Sequence, residues 1–148
     1  MVSRPFAATF AAATVAAALM TSGCASSASL REGNYEDVTP HELHRAGKSG
    51  DAELAAPLRA LLEERLASGT TTITDEQAIE AVIALGRTGD ASDGAAMLRV
   101  AREDHSPDVR AFAIEALARL NPPLLAAERG ALLSAENDPL VRARLADN

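Results

Sequence analysis

Three groups of residues in this chain could in principle do chemistry. His41 and His44 stand three apart with Glu42 between them, a spacing that places two imidazoles on one helix face, where they could share a metal ion. Structural zinc sites need four ligands and catalytic ones three, and the only other histidine, His105, lies far along the chain. The expectation is therefore solvated or capping histidines, with no metal or other cofactor. Gly47-Lys48-Ser49 has the ending of a phosphate-binding loop, but position 42 is Glu where that motif needs its first Gly, and no strand pattern precedes it. The string returns as Gly86-Arg87-Thr88, so a repeated turn explains both copies. The acid pairs Glu63-Glu64 and Glu103-Asp104 fall at the ends of helical segments, where adjacent side chains diverge around the axis. They read as solvated faces rather than the facing carboxylates of a glycosidase. There is no Gly-x-Ser-x-Gly elbow, and no serine is visibly paired with a base. These residues point away from an enzyme.

The single cysteine is a different matter. Arg4 is followed by an uncharged, Ala-rich run from Phe6 to Met20 and then by Thr21, Ser22 and Gly23, the build of a secretory signal peptide over residues 1–23. The run is short and weakly hydrophobic for a bilayer span, which needs ~20 mainly apolar residues. Cys24 closes the string Leu19-Met20-Thr21-Ser22-Gly23-Cys24. That string resembles the lipobox of bacterial lipoproteins, with Thr21 standing where Leu is commonest. The resemblance implies that Cys24 is lipidated and becomes the mature N-terminus, carrying more than one acyl chain, because a single chain anchors only marginally. It also implies a periplasm-facing position in the cell envelope. The outer membrane is preferred, because Ala25 and Ser26 lack the Asp that favours inner-membrane retention. The alternative is ordinary cleavage after Ala28, with Ser26 and Ala28 as the small-residue site, releasing a soluble periplasmic domain. With no second cysteine, no disulfide can form within the chain. Residues 24–38, rich in Ser and Ala, read as a flexible tether.

Beyond the leader about 125 residues remain, enough for one domain. Ala and Leu dominate them, and Tyr35 and Phe112 are the only aromatics, so helices packed through small side chains are expected rather than a β-sandwich or barrel. Thirteen basic against twenty-one acidic residues leave a net charge of −8, which repels phosphate backbones and argues against nucleic acid as a partner.

The elements that would display these residues repeat. Gly47-Lys48-Ser49-Gly50-Asp51-Ala52 recurs as Gly86-Arg87-Thr88-Gly89-Asp90-Ala91, and Ser106-Pro107-Asp108-Val109-Arg110-Ala111 as Asp138-Pro139-Leu140-Val141-Arg142-Ala143. Ser106 and Asp138 can accept amide protons of a first helical turn, while Pro107 and Pro139 sit where a missing N–H costs nothing. Thr39-Pro40-His41-Glu42 and Thr74-Asp75-Glu76-Gln77 are capping boxes. Apolar residues follow helical spacing: Leu54, Leu58, Leu61 and Leu62; Ile79, Val82 and Ile83; Val109, Ala113, Ala116, Leu117 and Leu120. The pattern predicts helices at about 40–46, 51–67, 75–86, 91–104, 107–120, 124–136 and 139–146, paired as three hairpins and a terminal half.

Pro107-Asp108-Val109-Arg110-Ala111 with Ala113-Ile114-Glu115-Ala116-Leu117 resembles the first helix of HEAT repeats of the phycobilin-lyase type, and the Gly-Asp turns at 50–51 and 89–90 are similar to that family's inter-helix turn. The likeness covers about residues 39–148, although Asn121-Pro122-Pro123 replaces the third Gly-Asp turn and the first hairpin lacks the Val-Arg pair. It implies an all-α, short right-handed α-solenoid of HEAT-like hairpins, near the roughly three repeats that such stacking needs. It implies further that Asp51 or Asp90 pairs with arginines such as Arg110, and that second helices line a concave side. Arg59, Glu63, Arg99, Arg102, Glu128 and Arg129 are then the candidate partner contacts. The function expected is a non-catalytic interaction or scaffold module that binds another envelope protein. The alternative is a small-ligand-handling or lyase-like protein, for which Phe112 and Tyr35 are poor material.

Overall fold

Helices start where the sequence supplies acceptors for otherwise unpaired amides. In the computed structural model, which describes residues 25–68 and 72–148, the elements are α1 (Ala25–Glu32), α2 (Pro40–Ser49), α3 (Ala55–Ser68), α4 (Asp75–Thr88), α5 (Gly94–Glu103), α6 (Pro107–Leu120), α7 (Pro122–Ala135) and α8 (Pro139–Asp147). Single 3-10 turns precede α2, α3 and α5. No strand occurs among the described residues, so the all-α expectation holds. Thr39 and Thr74 close full capping boxes with Glu42 and Gln77, and Asp138 accepts from the amides of Leu140 and Val141. Ser106 departs from expectation. Its side chain makes no cap bond, and its own amide donates instead to Asp104 Oδ1 at 2.9 Å.

The segment expected to be a tether is structured. α1 is helical, and Leu30 and Val38 are buried in the core. Gln77 Nε2 donates to the carbonyl of Val38 at 2.6 Å, and Arg31 reaches Asp51 at 2.9 Å, so both ends of this stretch are fixed to the body. Leu30 supplies the apolar anchor that a Ser/Ala count overlooks.

α2 packs on α4, α4 on α6 and α6 on α8, while α3 packs on α4 and α5, and α5 on α6 and α7. The expected hairpin partners α2/α3 and α4/α5 approach each other less closely than α3 approaches α4 or α5 approaches α6. Close approach comes from glycine. A Cβ on Gly47 would stand 2.8 Å from the Ala84 Cα, and one on Gly86 would stand 3.0 Å from the Ala116 Cβ. The two Gly-Asp turns, alike in sequence, use glycine differently. Gly50 takes φ +66° to end α2, whereas Gly89 has φ −78° and is small because Leu85 O and Asp93 Oδ2 each lie 2.7 Å from where its Cβ would be. The core is one cluster running from Leu30 to Leu145.

Glycine substitutions of opposite sign are expected. Gly47→Ala meets backbone and should cost about 1–3 kcal/mol as α2 is pushed off α4. Gly130→Ala, inside α7 with nothing within 4 Å, should gain about 0.5–1 kcal/mol. Urea unfolding followed by helical circular dichroism measures both; equal effects would refute the close approach at Gly47.

Candidate functional site

The most strongly built polar arrangement centres on Arg65, in the last turn of α3, whose side chain is 0% exposed. Its position on α3 explains the burial: Leu61 and Leu62, four and three residues earlier, are also buried and carry it inward on the same stripe. Nε donates to Asp104 Oδ2 at 3.1 Å and Nη2 to Asp104 Oδ1 at 3.2 Å, a bidentate fork onto a carboxylate that is itself buried. Nη1 donates to the carbonyl of Ile73, and Nη2 also reaches Asp75 Oδ1 at 2.6 Å and His105 Nε2 at 2.9 Å. Its three nitrogens thus make five polar contacts, with groups at the start of α4 and the end of α5. Burial opposes the charge, but the hydrogen bonds to Asp104 and Asp75 outweigh it and hold Arg65 above its ordinary pKa. Asp104 is therefore not the solvated acid expected from its place at a helix end; Glu103 is exposed.

A related device sits one helix pair further on. Arg110 forks onto Glu136, Nε to Oε2 at 2.8 Å and Nη2 to Oε1 at 3.0 Å, and its Nη1 donates to the carbonyl of Asp104 at 2.9 Å. The ladder expected from Asp51 or Asp90 to Arg110 is not formed. Asp51 accepts from the Glu53 amide and pairs with Arg31, and Asp90 accepts from Ser92. Arg110 instead takes the carboxylate that its own neighbouring turn presents. Arg142, the repeat counterpart of Arg110, donates to the carbonyls of Leu133 and Glu136.

These forks make stability sensitive to acid. The hydrogen bond from Arg65 lowers the Asp75 pKa, and that from Arg110 lowers the Glu136 pKa. Groups depressed in the folded state stabilise it fully above their unfolded values, 3.8 and 4.5, and lose that contribution as pH falls through the lowered folded values. The urea midpoint should hold level from neutrality to about pH 5 and then decline. In Arg110→Met the decline should be shallower; an identical slope would detach Glu136 from it.

The six residues expected to contact a partner are distributed on α3, α5 and α7. Arg59 is engaged by Asp93, Arg99 faces Glu103 at 3.5 Å, and Arg102 is engaged by Glu128. Glu63 is exposed, and Arg129 is half-buried with an Nε that has no partner. The structure thus ties four of the six into pairs within the chain. His44 faces Glu80 at 3.2 Å across α2 and α4, His41 is exposed, and His105 lies apart from both against Arg65. No cluster of three or more metal-binding side chains occurs among the described residues. The Gly47-Lys48-Ser49 string ends α2 rather than opening a helix after a strand.

Under α7 and α8 lies a cavity of about 310 Å³, lined by Ala101, Ile114, Ala131, Leu132, Val141 and Leu145, with Arg102 and Glu136 at its polar side. Val141 and Leu145 are buried on α8, which packs on α6, while Leu140 stays 44% exposed. Cys24 and the expected signal segment 1–23 lie outside the described residues. No described helix is long and apolar enough to cross a membrane. No protein-family model, curated protein or solved structure matches the chain.

Proposed function

We propose that the chain is an envelope lipoprotein, anchored through Cys24, whose helical body is a non-catalytic module for binding another envelope protein. The observation that carries this reading is the pairing of the fold's charges. The buried guanidinium and its carboxylate are engaged by one another, by Asp75 and by turn backbone, leaving no free nucleophile or base in this dry cluster among the described residues. Such a network holds helix ends in register and leaves the helix faces for contact. The body is read as a short right-handed HEAT-like solenoid. In its support, alternate helices neighbour one another, α2 with α4, α4 with α6 and α3 with α5, as stacked two-helix units do. The lipid anchor rests on the sequence around Cys24 alone. The partner-contact surface first expected, on the second helices, is weakened by the internal pairs of Arg59, Arg99 and Arg102.

Pull-down from envelope membranes, comparing the chain with Cys24→Ala, tests the proposal. Recovery of a defined protein partner with the parent chain, and loss of membrane association in the variant, is the expected result. An undiminished membrane fraction for Cys24→Ala would remove the anchor from the proposal. The second reading, small-ligand handling, is favoured by the apolar cavity under α7 and α8, whose volume reaches the low end of ligand pockets, roughly 300–1,000 Å³. Recovery of a coloured or small apolar ligand with no protein partner would reverse the order.

A further inference from the structure

We propose that the outer face of α4 and α6 carries a docking cleft for an acidic protein segment bearing an apolar side chain. The inference deepens the interaction-module reading and rests on it. Arg87 and Arg119, each exposed in the last turn of its helix, make no ion pair or hydrogen bond among the described residues. They stand at a cleft of about 190 Å³ whose other walls are Ile83, Phe112, Glu115 and Ala116. Ile83 and Phe112 are half-buried, so apolar surface is left in the same cleft as the two cations. Glu115, the one acid in the wall, faces Arg144 of α8 at 3.6 Å, which draws it from the two arginines. Gly86 allows the geometry. With no side chain there, Ala116 comes against α4, and the Arg119 guanidinium crosses to within 3.8 Å of where a Gly86 Cβ would be.

Charge selects the occupant. The second helices present arginines already matched to Asp93, Glu103 and Glu128, so an incoming carboxylate would have to displace one. At Arg87 and Arg119 none need leave. A body carrying net negative charge repels acidic segments elsewhere, so two unpaired guanidinium groups give both attraction and place. An aromatic floor with arginines beside it has the composition of binding hot spots. The cleft is smaller than ligand pockets of roughly 300 Å³ and above, which suits one side chain of a partner rather than a cofactor. The favourable placement of both arginines at helix C-termini orients them without occupying their outward donors.

The test titrates the full chain in detergent with acetyl-Glu-Leu-Glu-amide while observing arginine Nε–H and Phe112 ring signals by NMR. Saturable shifts are expected at Arg87, Arg119 and Phe112. Binding should weaken about tenfold with acetyl-Gln-Leu-Gln-amide, and by a similar factor in the double variant Arg87→Ala, Arg119→Ala. Arg87→Lys should retain most of it, and circular dichroism should leave the helix content of every variant unchanged. Equal binding of the uncharged peptide, no saturable shift, or shifts centred on Arg99 and Arg102 would overturn the cleft. If the membrane pull-down recovers a partner while the peptide fails, only the cleft falls; if both fail, the interaction reading falls with it.

Discussion

Replacing Arg65 with alanine should lower the unfolding free energy by about 3–5 kcal/mol, a large part of what a single domain has, about 5–15 kcal/mol. The reason is asymmetric. Removing the guanidinium deletes a packed side chain and leaves Asp104, a buried carboxylate whose two oxygens both face Arg65, with no countercharge on Oδ2 and only the Ser106 amide hydrogen-bonded to Oδ1, while the carbonyl of Ile73 loses its donor. Arg65→Lys should recover little, because an ammonium cannot fork onto Asp104 and reach Asp75 together. The double variant Arg65→Met, Asp104→Leu removes both charges at similar volume and should regain most of the loss. Urea unfolding of the three variants by circular dichroism decides the matter. A loss below about 1 kcal/mol for Arg65→Ala would mean that water reaches Asp104 freely, and that this network is not what fixes the helix ends.

Leu117→Asp should have the larger effect and leave the chain without a cooperative transition. Leu117 is 0% exposed on α6, the helix that touches α4, α5, α7 and α8. The substitution forfeits roughly 1.5–3 kcal/mol of apolar burial and forces a carboxylate into a place with no partner. Together these exceed the loss of about 2–5 kcal/mol expected for Leu117→Ala, which should still fold with a lower urea midpoint. Retention of parent-like helical ellipticity and an equally steep melt in the aspartate variant would show that α6 is not the central packing element.

Much of the fold was legible because it is written locally. Thr39, Thr74, Pro107 and Pro139 mark helix starts by residues that act within three positions of themselves, and the helices begin there. Glycine repeats at 47 and 86 marked turns, though their deeper use, letting α2 onto α4 and α4 onto α6, needs the third dimension. α1 escaped because eight residues with a single buried leucine give no stripe to read. The Arg65 fork escaped because Asp104 lies 39 residues away. One signal was present. Arg65 falls on the apolar face marked by Leu58, Leu61 and Leu62, and an arginine there must either snorkel out or find a carboxylate. The unpaired arginines of α4 and α6 are silent in the sequence for the opposite reason. Nothing in a sequence separates a paired surface cation from an unpaired one, and the solenoid resemblance implies contacts on the second helices instead.

Within the described residues α1 runs over Ala25–Glu32, and through Leu30 and Arg31 it is seated on the body. On the proposed anchoring at Cys24, only five residues of sequence would separate the acylated cysteine from the buried Leu30, so the mount between bilayer and body would have little slack. The module would ride as a fixture on the lipid surface, confined to a thin slab above the headgroups with the same end always downward. Its encounters would then be two-dimensional, restricted to proteins whose own binding segments dip into that slab, at a local concentration that a long leash would dilute.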